Sequence, residues 1–317
     1  MTFFGLQLHP QYTTWDEMRD AALLAERCGW DVLMTWDHFV PLMGDVRGPN
    51  LEGWQVLAAF GAITTTPRIG MLVSGNTYRH PAVLANMGAT LDNITNGRAV
   101  LGIGAAWNEH EHRMYGIDFD TPAIRLAKLR EATRIVRGLL DTGTVTYHGT
   151  YYQLENATLG TRPIQERLPI LVGGGGERVT LKITARYADW WHGFGTPEVI
   201  KHKLAVLKKH CDDVGREYSE IAPTAGGQIL VRDDLNSVDK RLREVSARNK
   251  VEAPNRPGVL GKPEAIAQRL LEYHRLGVKG FLFGMSPPYD RETIERTMSD
   301  VKPRFLELAA EGHAAVA

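Results

Sequence analysis

Short apolar runs separated by amphipathic stretches recur from one end of the chain to the other. Phe3 to Leu8 is apolar and closes on His9-Pro10, the pattern of a strand followed by a break. Thr14 to Arg27 then carries Trp15, Met18, Ala22 and Ala25 at helical spacing, with Thr13 or Thr14 as N-cap and Gly29 as stop. The alternation continues with a strand over Asp31 to Met34 and a helix over Trp54 to Thr65, ended by Thr66-Pro67. Arg68 to Val73 predicts a third strand, Pro81 to Ile94 a helix opened by proline and closed by Asn96-Gly97, and Arg98 to Ile103 a fourth strand. Strands alternating with helices through short connections predict parallel strands joined by right-handed crossovers.

Beyond Ile103 the units lengthen. Ile124 to Leu140 predicts a long helix, and Val145 to Leu154 a hairpin around His148-Gly149 within an insertion near 141–167. Strands follow at Leu168 to Val172, Asp189 to His192 and Ile221 to Val231, with helices at Val179 to Tyr187 and Glu198 to Val214. Arg232 to Pro257 is charged and poor in apolar residues, which predicts a surface insertion near 232–260, partly helical. Pro263 to Leu276 is the next helix and Lys279 to Phe283 the last strand. Glu292 to Leu308 closes the chain as a helix interrupted near Pro303, with Ala309 to Ala317 as a tail. The pattern predicts an α/β fold, a closed (β/α)8 TIM barrel with insertions. No linker divides the chain, so residues 1–317 are expected to form a single domain.

Composition narrows the function. The 317 residues exceed the roughly 250 of a typical barrel. Apolar residues make up 43% and charged residues 23%, as in a globular protein with a sizeable core. Lysine plus arginine and aspartate plus glutamate number 37 each and are interspersed, which argues against nucleic acid as a partner. Cys28 and Cys211 share no metal-ligand spacing and fit a reducing cytosol. The first residues lack a signal peptide, and no apolar run approaches the ~18 residues of a membrane span. A cytoplasmic protein without a membrane partner is expected.

The ends of the strands carry the chemistry. In a parallel α/β fold the crevice beyond the strands' carboxyl ends takes the ligand. Asp37 and His38 stand there after the second strand, an imidazole able to move a proton beside a carboxylate. On spacing alone a turn cap and an ordinary loop histidine are the better reading of the pair. Five further strand ends are polar or glycine-rich: His9, Ser74 to Thr77, Gly104 to Glu109, Gly173 to Arg178, and Trp190 to His192. In the run Gly173 to Gly176 the backbone N–H groups can approach a phosphate closely, the next helix presents its positive end, and Arg178 adds a charge. No Lys-Ser or Lys-Thr follows at P-loop spacing. The histidines at 9, 80, 110, 112 and 192 show no metal-ligand spacing, so no metal is expected. No Gly-x-Ser-x-Gly elbow occurs, which disfavours nucleophilic hydrolysis.

Several stretches together resemble the bacterial luciferase-like flavin superfamily, and within it the coenzyme F420-dependent oxidoreductases. They are Thr35 to Phe39, Asn76 to Ala85, Ala89 to Asp92, Gly97-Arg98, Leu101 to Gly104 with Trp107-Asn108-Glu109, Gly173 to Leu181, Ala185 to Asp189, and Gly277-Val278. The resemblance implies the same barrel, with the ring of coenzyme F420, or alternatively FMN, at the carboxyl ends of its strands. It implies a non-prolyl cis peptide near Leu72-Val73, backbone set against the ring's centre. The cofactor surface expected from it comprises Asp37, Leu72, Val73, Ser74 and Asn108, with Gly174, Gly175, Gly176, Glu177 and Arg178 at the phosphate end. His38 would be the catalytic acid/base, and Asp37 would bind the ring's polar edge or steady the imidazole. The implied reaction is hydride transfer between the deazaflavin and a small-molecule substrate. An FMN-dependent monooxygenase using O2 and a non-catalytic flavin-binding barrel are the alternatives. Family members are commonly dimers, so a homodimer is expected.

Two departures bear on the substrate. Where some members have a carboxylate beyond strand one, this chain has Gln11. A second such carboxylate, after strand four, falls roughly at Trp107, with Glu109 and Glu111 nearby. Sugar-phosphate and alcohol dehydrogenases are therefore poor guides to the substrate. The expected substrate pocket is His9, Gln11, Trp54, Trp107 and Glu109, with Trp36 and Trp191 as further aromatic candidates.

Overall fold

The computed structural model describes residues 2–252 and 258–314. β1 (Phe3–Leu8) leads into α1 (Trp15–Arg27) through a capping box, in which Thr14 accepts from the Glu17 amide and Glu17 accepts from that of Thr14. Gly29, at φ +83°, turns the chain out of α1 into β2 (Val32–Thr35). Then come α2 (Gly53–Ile63), β3 (Arg68–Met71), β4 (Ser74–Gly75), α3 (Pro81–Ile94), β5 (Ala99–Gly104), α4 (Glu109–Tyr115) and α5 (Pro122–Thr142). The hairpin β6 (Thr144–His148) and β7 (Gln153–Thr158) forms its own antiparallel sheet, as the insertion near 141–167 predicts. The barrel resumes with β8 (Ile170–Gly173), α6 (Thr180–Tyr187), β9 (Trp190–Gly193), α7 (Pro197–Val214) and β10 (Ala222–Ala225).

The remaining elements are β11 (Gln228–Val231), α8 (Leu235–Arg248), β12 (Gly258–Gly261), α9 (Pro263–Arg275), β13 (Gly280–Met285), α10 (Arg291–Arg296) and α11 (Lys302–Ala314). Parallel pairing runs β1-β2-β3-β5-β8-β9-β10-β13, and β13 pairs back to β1 in register from Phe3–Gly280 to Leu8–Met285. This is the closed (β/α)8 barrel expected. Alternate strand residues face opposite sides. Leu33, Ile69, Leu101 and Ile170 join the large outer core under the helices, while Met34, Val100, Leu171 and Leu282 fill the barrel's interior. Phe3 stacks on Trp190 at 4.6 Å where both strands begin, plugging the amino end and leaving the carboxyl end for the site.

Four local expectations are corrected. The run Ile221 to Val231 is two strands, separated at Gly226, which passes so close to the Leu282 carbonyl that any Cβ would collide with it. β10 belongs to the barrel, whereas β11 pairs with β13 at one position and then with β12. The charged segment after Arg232 is integral rather than superficial. α8 buries Val238 and Leu242 against Leu230, and Arg232 forms a buried two-point ion pair with Asp290. The part of that expected insertion at 253–257 lies outside the described residues. The last helix runs through Ala314 rather than ending at Leu308, and a π turn at Thr297–Val301 marks the interruption before Pro303. Residues 315–317 of the expected tail lie outside the described residues. Helix α4, short and mostly polar, went unpredicted.

Candidate active site

A cavity of about 410 Å³ opens at the carboxyl ends of the strands. Its wall is built around the β3–β4 junction. The Leu72–Val73 peptide is cis, at the position the resemblance implies, and Gln7 Nε2 donates to the Leu72 carbonyl at 2.6 Å. Val73 then lies against Gly104 and Gly173. A Cβ at these glycines would come within 2.8 and 2.9 Å of its methyl groups, so only glycine lets the three strands meet here.

Asp37 and His38 both line the cavity, but they have different partners. Asp37 is buried; its carboxylate takes Arg79 Nη2 at 2.9 Å and the Gly75 amide at 3.1 Å, and Arg79 continues to Glu52 at 3.0 Å. Burial raises the Asp37 carboxyl to about 6, partly offset by Arg79. Asp37 therefore anchors β2 to β4, and the carboxylate on the His38 ring is a different one. His38 Nδ1 lies 2.8 Å from Glu111 Oε2.

Glu111 is fully buried on α4, carried there by the N-cap at Asn108. It also accepts from the Tyr78 hydroxyl and from the backbone amides of Phe39 and Val40. Burial alone would raise its pKa, but these donors, led by His38, hold it below the usual glutamate value. Tyr78 is pushed the opposite way, by burial and then by Glu111, and remains a phenol that donates. An ionised Glu111 can only accept, so Nδ1 of His38 carries a proton and Nε2 is the nitrogen left for chemistry. No described residue hydrogen-bonds that Nε2. Trp107, 64% exposed, stands edge-on to the His38 ring at 5.7 Å.

His9 is stacked on Trp36 at 4.2 Å, with Nδ1 on the Ser286 hydroxyl at 2.9 Å. Burial, then the charge of His38, lowers its pKa to about 3. His192 is buried in the opposite wall with Nδ1 on the Thr224 hydroxyl. The indole Nε1 of Trp36 and Nε2 of His192 are buried without partners.

Of the expected residues, the structure brings His9, Asp37, His38, Leu72, Val73, Ser74, Trp107 and Gly174 to the cavity. Others serve elsewhere. Gln11 is fully buried and ties the Leu42 amide (2.9 Å) to Asn249 on α8's end (2.7 Å). Trp54 sits on α2 behind the wall and donates to Ser74 Oγ at 3.1 Å. Glu109 faces solvent and pairs with Arg113. Asn108 caps α4. Gly175, Gly176 and Arg178 are exposed on the rim, and Glu177 pairs with Lys203 and His202. Trp191 serves the glycine loop from behind, donating to the Gly174 carbonyl at 2.9 Å. Sequence reasoning missed Gln7, Tyr78, Phe194 and, above all, the role of Glu111. A helical turn starting at the Asn108 cap, with a carboxylate on its inner side, was the available signal. Among the described residues no cluster of three or more His, Cys, Asp or Glu could hold a metal, and no helix is long and apolar enough to cross a membrane.

Comparison with known proteins adds family context. The luciferase-like monooxygenase family model matches residues 1–258. An F420-dependent glucose-6-phosphate dehydrogenase of Microbacterium testaceum (strain StLB037) is 28% identical over 334 residues, covering 95% of this chain and 97% of that protein. An F420-dependent secondary alcohol dehydrogenase in complex with an F420-acetone adduct shares the fold, with a TM-score of 0.82 at 20% identity over 96% of this chain and 99% of its own. Riboflavin lyase with modified FMN does so at a TM-score of 0.81 and 14% identity, over 97% and 92% of the two chains.

Proposed function

The chain belongs to the luciferase-like monooxygenase family, and from that premise we propose that it is an F420-dependent oxidoreductase transferring a hydride between the deazaflavin and a small organic substrate. Kinship over nearly the whole length with an F420-dependent dehydrogenase supports the cofactor. The observation that carries the chemistry is the His38–Glu111 pair beside the Leu72–Val73 wall.

The residues present fit a flat tricyclic ring. Gly104 and Gly173 leave the wall without protruding side chains around Val73, and Trp36 Nε1 is a buried donor in want of an acceptor. The loop 175–178 before α6 would hold the phosphate end through its amides and Arg178, the Gly174 amide being already bonded to the His192 carbonyl. When bound, F420 supplies a two-electron hydride carrier that reacts poorly with oxygen. His38 holds or releases a proton at Nε2 to balance charge on the substrate, and Glu111 fixes its tautomer and steadies its positive form. Trp36, Leu42, Trp107 and Phe194 make the remaining wall apolar, which supports a carbonyl or unsaturated compound with an apolar body. We take the chain as one catalytic domain acting in the cytoplasm as a homodimer, which sedimentation velocity checks.

The deciding experiment is a fluorescence titration of the purified protein with F420 and, separately, FMN. Tight F420 binding, followed by oxidation of reduced F420 with a panel of ketones and enones, is the expected result. Preference for FMN with oxygen uptake would make the protein a monooxygenase. Binding of neither would remove both enzymatic readings.

A further inference from the structure

His192, next to last in β9, is in register with Gly173 of β8 and Thr224 of β10, fully buried and lining the cavity. Its two ring nitrogens have different fates. Nδ1 lies 2.9 Å from Thr224 Oγ1, and that hydroxyl gives its single proton to the Trp191 carbonyl, also at 2.9 Å. Oγ1 must then accept from the ring, so the proton of the neutral imidazole sits on Nδ1 and Nε2 is a bare lone pair. Burial lowers the His192 pKa to about 3, which keeps the ring in this state near neutral pH. Nε2 has no partner in the structure. Buried acceptors are rarely left so, and one in a cavity wall points to a ligand. The Phe194 ring packs edge-on against His192 at 4.6 Å, fixing the imidazole from outside.

We propose that His192 is a specificity-determining residue whose Nε2 accepts a hydrogen bond from an N–H or O–H group of the bound ligand. The cavity then discriminates against ligands that present only acceptors at this point. Two sources of the donor are compatible with the proposed function, on which this part rests: the imide N–H of the deazaflavin's pyrimidine ring, or a hydroxyl or amide of the substrate.

The test begins with histidine labelled with nitrogen-15, the His192 signals being assigned with His192→Phe. Free protein should show Nε2 at the position of an unprotonated, unbonded nitrogen, and ligand should shift it upfield. In parallel, F420 and FMN are titrated against wild type, His192→Phe and His192→Gln, whose amide oxygen restores an acceptor. For a cofactor donor, His192→Phe should weaken binding about tenfold with recovery in His192→Gln. Wild type should also disfavour N3-methylated FMN by a similar factor, and His192→Phe should not. For a substrate donor, cofactor affinity stays constant while KM rises in His192→Phe and recovers in His192→Gln. An Nε2 resonance indifferent to every ligand, with affinities and KM unchanged in both variants, would overturn the proposal. Should His192→Phe not fold, His192→Gln and the methylated ligand on wild type retain the test. Failure of the F420 reading looks different: neither cofactor alters the fluorescence. Then 1-methyluracil should still shift Nε2 where 1,3-dimethyluracil does not, and equal silence to both overturns the acceptor role.

Discussion

His38 and Glu111, 73 residues apart in sequence, meet at 2.8 Å between Nδ1 and Oε2, joining the end of β2 to α4. The same carboxylate gathers Tyr78 and the backbone at Phe39 and Val40, so one buried side chain sets the imidazole and the loop that carries it.

Replacing Glu111 by glutamine preserves volume but leaves only one acceptor oxygen for these four donors. In Glu111→Gln we expect kcat to fall about 10²-fold, the lower end of general acid/base contributions, with F420 affinity within about threefold of wild type. An equal loss of cofactor affinity and turnover would show that Glu111 merely holds the loop.

His38→Ala removes the proton carrier itself. Turnover should drop by about 10²–10⁴-fold while fluorescence titration still reports cofactor binding. Equal loss of binding and turnover would instead make His38 a wall residue.

The wall behind the ring is tested at Gly104. A methyl group there would meet Val73 Cγ2 at 2.8 Å, and Val73 is wedged between two strands with little room to yield. Gly104→Ala should weaken F420 binding about tenfold and lower stability by about 1–3 kcal/mol, measured by titration and urea unfolding.

These residues also mark what could be read from the chain. The barrel was legible because apolar runs and capped helices recur with punctuation such as Thr14, Gly29 and Pro81. The positions of Asp37 and His38 were legible for the same reason: strand ends fix where such residues lie. Their partners were not. Asp37 reaches Arg79 and His38 reaches Glu111 across gaps of 42 and 73 residues, and no local pattern encodes contacts that the barrel's closure creates. Gln11 and Glu109 misled because a position near a strand end does not set the direction of a side chain. The segment after Arg232 misled because its few apolar residues, Val238 and Leu242, suffice to bury one face of a charged helix.

That segment reaches the site through Asn249. Its amide accepts from Gln11 and donates to the Val245 and Pro287 carbonyls, and Gln11 in turn holds the amide of Leu42 in the cavity wall. Asn249→Ala strands the Gln11 amide and the Pro287 carbonyl in a buried place, at about 1–3 kcal/mol. Thermal unfolding should report the loss, and substrate KM should rise more than the cofactor Kd. The reverse order would place the Leu42 loop on the cofactor side.

Acid stability follows from the two buried histidines. His9 and His192 are both lowered to about 3, chiefly by burial, whereas an unfolded histidine titrates near 6.5. Below pH 6.5 the unfolded chain therefore takes up a proton at each position while the native protein does not, and mass action favours unfolding. Their stabilising contribution is complete above pH 6.5 and is lost as pH falls toward 3, at up to about 1.4 kcal/mol per unit for each ring. Asp37, raised to about 6 by burial, acts in the opposite sense, its contribution being lost as pH rises through 6. It is common to wild type and variant and so cancels between them. Urea unfolding from pH 7 to 5 should show wild type losing stability more steeply than His192→Gln, by about 1 kcal/mol per unit near pH 5. Parallel slopes would mean that native His192 takes up a proton as readily as the unfolded chain, and the neutral ring with its bare Nε2 could then not be the form that faces the ligand.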